Sequence, residues 1–135
     1  MVLPGIQALF GFQLIVVFHP TFSEKLGPTE QILHLVAIGL IAAAIAIIMA
    51  PAAYHRQTDS RQVTAKFIRL STRLLLWSMV PLALSISIEF YLVGRVITGA
   101  DSILPIACGL FAFFVLLWFA LPRVRVFERL VSGRR

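Results

Sequence analysis

Residues 32–50 read ILHLVAIGLIAAAIAIIMA, an apolar stretch interrupted only by the imidazole of His34. As a helix rising about 1.5 Å per residue, it nearly matches the roughly 30 Å hydrocarbon core of a bilayer. A helix on the surface of a soluble bundle would carry polar residues at 3.6-residue spacing along one side, and this stretch is hydrophobic on every side.

Working outward, three further runs share this character, giving predicted spans at residues 3–18, 30–52, 70–94 and 103–121. The first opens with Pro4 near its first turn and ends at His19-Pro20. Thr29 is the expected cap of the second, with Glu30 in its positively polarised first turn, and Pro51 is its expected end. Met1 to Phe18 has neither a basic leading segment nor a small-x-small cleavage site, so it reads as a retained span. Residues 94–102 leave room only for a turn between the last two spans. Short connections make neighbouring spans antiparallel. The expected architecture is therefore all-α: a polytopic membrane protein whose single domain, residues 1–135, is an up-down-up-down four-helix transmembrane bundle.

The composition agrees, since 59% of the chain is hydrophobic and 13% charged, a balance far from that of a soluble domain. Orientation follows from the basic residues. Arg56, Arg61, Lys66, Arg69 and Arg73 lie between spans two and three, and Arg123, Arg125, Arg129, Arg134 and Arg135 follow span four. The opposite side holds only Lys25 and Arg95, offset by Glu24, Glu30 and Asp101. The positive-inside rule then places both termini in the cytoplasm.

The net charge of +6 flanks apolar runs and does not form a soluble basic face with interleaved aromatics, which argues against nucleic acid as a partner. Val63, Phe67, Leu70 and Leu74 recur at helical spacing beside the basic residues of the second loop. Val124, Phe127 and Val131 do likewise in the tail, residues 122–135. These two segments, Arg56–Arg73 and Arg123–Arg135, are candidate contacts for anionic lipid or a cytoplasmic partner, against the simpler role of setting topology and anchoring at the interface. Tyr54, His55 and Arg56 form a candidate interfacial anchor.

Polar side chains in hydrocarbon are costly enough that they normally face protein or a wet cavity. Span three carries Ser71, Ser78 and Ser85 at seven-residue intervals with Glu89 one turn further, all on one helical face. Pro81 frees the carbonyl of Trp77 and is an expected kink, and a neighbouring serine is a candidate to bond that backbone. By depth, Glu89 lies level with His34 of span two and Gln13 of span one, so these three form the candidate intramembrane site with Ser85 and Ser78. Glu89 reaching up to Arg95 is the competing arrangement. Serines in such helices also serve simply to permit close packing.

His19, His34 and His55 stand singly on different segments, so no metal site is expected. Cys108 lies in an apolar run and is read as a small hydrophobe. The absence of nucleophile–base pairs, phosphate loops and paired carboxylates points away from enzymatic activity, and no cofactor is implied. Gly39, Ala43, Ala46 and Ala50 form a small-residue groove for another helix, with an internal helix as one candidate partner. Cys108 and Ala112 repeat the spacing on span four, whose phenylalanines and Trp118 supply a bulky surface for lipid or a second subunit.

The segments Leu3-Pro4-Gly5-Ile6-Gln7-Ala8-Leu9-Phe10-Gly11-Phe12, Pro28-Thr29-Glu30-Gln31 and Met49-Ala50-Pro51-Ala52-Ala53-Tyr54-His55-Arg56 resemble an uncharacterised family of small bacterial integral membrane proteins. The resemblance covers nearly the whole chain and implies four helices in a bacterial cytoplasmic membrane. An acidic residue at the place of Glu89 also looks like the family pattern.

Three functions fit these readings. One is a non-enzymatic accessory or scaffold module that associates through its helix faces, as a homo-oligomer or in a larger membrane complex. A second is a small oligomeric ion or proton channel or transporter using the Ser78, Ser85 and Glu89 face. The third is pH sensing through a coupled pair of His34 and Glu89, since histidine is the side chain that titrates near physiological pH.

Overall fold

The computed structural model describes residues 2–57 and 65–123, and every regular element among them is helical. Helix α1 is Val2–Val17, α2 Pro20–Lys25, α3 Pro28–Gln57, α4 Ala65–Thr98 and α5 Leu104–Val115. A 3₁₀ turn at Asp101–Ile103 leads into α5, which continues through a π turn and a further 3₁₀ turn to Arg123. The α3 helix, α4 and the 23-residue segment Asp101–Arg123 are each long and apolar enough to cross a membrane. At 16 residues α1 is a shorter apolar helix of about 24 Å.

The helices outrun the apolar stretches that announced them. The α3 helix passes through Pro51 and ends at Gln57, so Tyr54, His55 and Arg56 belong to its closing turns. Similarly α4 begins at Ala65 and runs unbroken through Pro81 to Thr98. At 30 and 34 residues, these helices measure about 45 and 51 Å, well beyond the roughly 30 Å of a hydrocarbon core. The tail beyond Arg123, together with Arg61 and Val63 of the second loop, lies outside the described residues.

Local chemistry sets the outer ends. His19 precedes α2, and its Nδ1 accepts the Thr21 N–H at 3.3 Å. Thr29 does not cap α3, because the helix already starts at Pro28, where a missing N–H costs nothing. Glu30 takes over by accepting the Gly27 N–H on Oε2 at 2.7 Å, and Gln31 Nε2 donates to the Leu26 carbonyl at 2.9 Å. The α4 helix ends at Gly99, whose φ of 67° is the left-handed conformation open to glycine and whose N–H donates to the Arg95 carbonyl at 2.8 Å. Arg95 then bridges Glu30 Oε1 through Nη1 and Asp101 Oδ1 through Nε, each at 3.0 Å. One guanidinium thus ties the start of α3, the end of α4 and the turn before α5.

The most extensive packing is between α3 and α4, with α1 on α3 and α5 on α4. On α3 the buried residues are His34, Ala37, Ile41 and Ala44, at spacings of three, four and three that define one face. On α4 they are Ser78, Ala83, Ser85, Ser87 and Leu92. Small side chains let the backbones approach, and the Ser85 hydroxyl crosses the interface to donate to the Ala37 carbonyl at 2.8 Å. The row of Gly39, Ala43, Ala46 and Ala50 is exposed. It is therefore not the internal groove: α3 turns toward α4 the face that carries His34 and the Ala37 carbonyl, because the polar partners of those groups are on α4.

Close approach recurs where α4 meets the turn before α5. A Cβ at Gly94 would stand 2.6 Å from Ile103 Cγ2. Helix propensity alone would make Gly94→Ala stabilising by about 1 kcal/mol. Overpacking against Ile103 should reverse the sign and cost about 1–3 kcal/mol, read as a lowered thermal midpoint in detergent micelles. The double variant with Ile103→Ala should recover part of that loss. A Gly94→Ala protein as stable as the parent would mean that the hairpin relaxes freely.

Candidate functional site

His34 is the junction of the molecule. Its side chain is buried, with Nδ1 2.7 Å from Glu89 Oε1 on α4 and Nε2 3.1 Å from the backbone oxygen of Gln13 on α1. The edge of Phe22 on α2 meets the imidazole at a centroid distance of 5.1 Å. Four helices therefore contribute to the surroundings of one ring. A carbonyl oxygen can only accept, so the contact with Gln13 is a hydrogen bond when Nε2 carries hydrogen. The proton shared with Glu89 then has two places to sit, on Nδ1 as an ion pair or on the carboxyl as a neutral pair.

The cluster has unused hydrogen-bonding capacity. Both side-chain amide atoms of Gln13 are buried without a hydrogen-bond partner among the described residues. Buried groups in this condition are uncommon in native proteins and mark a site whose polar atoms are not spent on the fold alone.

A cavity of about 640 Å³ opens beside the pair. Its walls come from the end of α1 at Ile15 and Val16, from Phe22 and Leu26, and from Leu92, Val93 and Val96 of α4, with His34 and Glu89 among the few polar groups of a mostly apolar lining. His19 and Lys25 also border it.

The serines are placed differently from Glu89. Ser78 and Ser85 are buried, with Ser78 donating to the Leu75 carbonyl at 2.6 Å and Ser85 to Ala37 as described. Ser71 is half-buried and donates to the Phe67 carbonyl at 2.9 Å. Trp77, four residues before Pro81, is therefore not the carbonyl that Ser78 serves. Neither Ser78 nor Ser85 lines the cavity. Ser85 belongs to the site as the next rung of the same ladder, because 34 and 37 on α3 face 89 and 85 on α4.

Ser87, also buried and bonded to the Ala83 carbonyl at 2.8 Å, escaped the seven-residue spacing. Its signal in the sequence is its place one turn beyond Ala83, a second small residue. Arg95 does not reach Glu89 and is engaged by Glu30 and Asp101. At the other end of α3, the rings of Tyr54 and His55 lie 6.3 and 5.7 Å from that of Phe67 on α4. His34 and His55 are 21 residues apart on one helix, a rise of about 31 Å, so the anchor and the buried pair are separate. Among the described residues there is no group of three or more histidine, cysteine or acidic side chains placed to hold a metal, and Cys108 is exposed.

An all-helical, membrane-embedded protein, with a buried histidine paired to a half-buried glutamate among its helices, is the class these features define. The chain matches the family of unknown function DUF6328 over residues 1–122 and belongs to it. Comparison with curated proteins and with solved structures gives no match.

Because removing either partner strands the other in a largely apolar setting, the pair should show coupling. His34→Leu and Glu89→Leu should each destabilise the protein, and the double variant should lose less than the sum by about 1–3 kcal/mol, measured by denaturant titration in micelles. Strict additivity would show that the 2.7 Å contact carries no coupling.

Proposed function

We propose that the protein is a non-enzymatic integral membrane module that acts by association of its helix faces, as an accessory or scaffold in a homo-oligomer or a larger membrane complex. In this reading α1, α3, α4 and the Asp101–Arg123 segment cross the bacterial cytoplasmic membrane up-down-up-down, with both termini in the cytoplasm. The charge asymmetry of the loops supports that orientation. The hydrogen bond from His34 to the Gln13 carbonyl supports a place for α1 among the spans, and a helix of about 24 Å is accommodated by local thinning of the bilayer.

The observation that carries the association reading is the division of faces on α3. The intramolecular contacts use His34, Ala37, Ile41 and Ala44, and they leave the row of Gly39, Ala43, Ala46 and Ala50 open. A Cβ added at Gly39 would meet no atom within 4 Å. Rows of small residues let helices in lipid approach closely enough for dispersion and weak hydrogen bonds to hold them together. The α5 helix points the same way, since Ala107 is its only buried residue among those described.

A second reading, pH sensing, is favoured by the position of His34, whose protonation state bears on contacts to α1 and α4 together. The channel alternative on the Ser78, Ser85 and Glu89 face draws less support, because both serines are engaged in dry packing. Any such path would depend on Glu89 and the adjoining cavity.

Native mass spectrometry from nanodiscs separates these readings. The parent should appear with more than one subunit, and Gly39→Leu or Ala43→Leu should shift it to monomer with helicity unchanged. A parent that is monomeric throughout contradicts self-association. If His34 also senses pH, the subunit distribution should change between about pH 5.5 and 8 in the parent and not in His34→Gln. A profile identical in both would retire that reading.

A further inference from the structure

A second cleft, about 530 Å³ in volume, lies between α4 and the end of the α5 segment, far from the buried pair. Arg73, Leu76, Trp77 and Val80 line it from α4, and Phe119 and Arg123 from the last helical turns of the chain described here. The two walls follow one plan. Trp77 is four residues from Arg73, one turn deeper into the apolar part of α4. Phe119 is four residues from Arg123, again one turn deeper. Each wall therefore presents a guanidinium at the mouth and an aromatic ring below it.

Both arginines are exposed, and among the described residues no carboxylate lies within ion-pair distance of either. Trp77 is 69% exposed, so its ring is open to an occupant of the cleft. Two guanidinium groups on neighbouring helices, unpaired with any carboxylate among the described residues and above an apolar groove, complement a phosphodiester with acyl chains attached. Guanidinium binds phosphate oxygens in a bidentate manner, and basic pockets between helices on the cytoplasmic side suit anionic headgroups. A soluble phosphate would leave the groove over Leu76, Trp77, Val80 and Phe119 without a partner, and a zwitterionic lipid would bring an ammonium group to two arginines.

We propose that this cleft is a specific site for one anionic phospholipid, with its phosphate held between Arg73 and Arg123 and its acyl chains lying over Trp77, Val80 and Phe119. The proposal rests on the membrane-spanning reading above and not on the oligomeric state. It narrows the broad basic segments of the sequence to two residues and gives them a groove.

The test uses the full chain in nanodiscs of phosphatidylcholine containing a minor fraction of phosphatidylglycerol, with retained lipid counted by native mass spectrometry. The parent should retain phosphatidylglycerol in preference to phosphatidylcholine. Arg73→Gln with Arg123→Gln should lower that preference about thirty-fold, at about five-fold for each arginine near the surface. The control pair Lys66→Gln with Arg69→Gln removes the same charge outside the cleft and should leave the preference nearly intact. Trp77→Ala, which keeps both charges, should also weaken retention.

Equal losses in the two double variants would overturn the site in favour of a diffuse basic surface, and so would a parent with no lipid preference. Co-flotation with pure phosphatidylcholine liposomes reads membrane embedding alone, so its failure is distinguishable from failure of the lipid site. Helicity by circular dichroism, together with Arg73→Lys and Arg123→Lys, guards against misfolding: restored retention in the lysine variants supports the site. Folded glutamine variants with undiminished retention overturn it.

Discussion

A histidine buried among apolar helices has two ring nitrogens to satisfy and no water with which to do it, and the arrangement of this protein follows from how those two needs are met. One nitrogen of His34 faces Glu89 and the other faces the backbone of Gln13, so a single side chain fixes α3 against α4 on one side and α1 on the other. Hydrophobic burial cannot supply that register, because in lipid the helix surfaces and the solvent are equally apolar. Directional polar contacts can. The next rung, Ser85 to the Ala37 carbonyl, repeats the constraint one turn away and confirms the same facing of α3 and α4.

Outside this ladder the helices meet through small residues, and the ends are tied by charge. Arg95 joins three elements at one end through Glu30 and Asp101, and solvent screening keeps such pairs weak. At the other end, aromatic contacts among Tyr54, His55 and Phe67 link α3 to α4. The His34–Glu89 pair differs from both in sitting beside the unpartnered amide of Gln13 and a mostly apolar cavity. That combination of unspent polarity and open volume separates a candidate site from a structural hydrogen bond such as that of Ser78.

Depth along a helix is legible in a sequence, and this is why Gln13, His34 and Glu89 fall at one level from their positions in the chain alone. Rotation about the helix axis is much less legible when a segment is apolar all round. The stretch from Ile32 to Ala50 offers two rows of small residues, and nothing in its composition says that Ala37 and Ala44 turn inward while Gly39 and Ala43 turn outward. The polar partners decide it. Helix ends are less legible for a related reason: Pro51 reads as an end, yet α3 runs through it as α4 runs through Pro81, since loss of one backbone donor is tolerated when the rest of a long helix is packed or in lipid. The partners of Arg95 were hidden because Glu30, Glu89 and Asp101 all lie near it in depth, and only the fold selects between them.

The proposed topology requires α1, held by His34, to cross the membrane with α3, α4 and the α5 segment. Protease accessibility in spheroplasts tests this directly, using one epitope at the N-terminus and, in a second protein, one inserted at Gly27 between α2 and α3. With four spans the N-terminal epitope is protected in intact spheroplasts and cleaved only after lysis, whereas the epitope at Gly27 is cleaved in intact cells. Cleavage of the N-terminal epitope from outside would place α1 on the membrane surface and contradict the account.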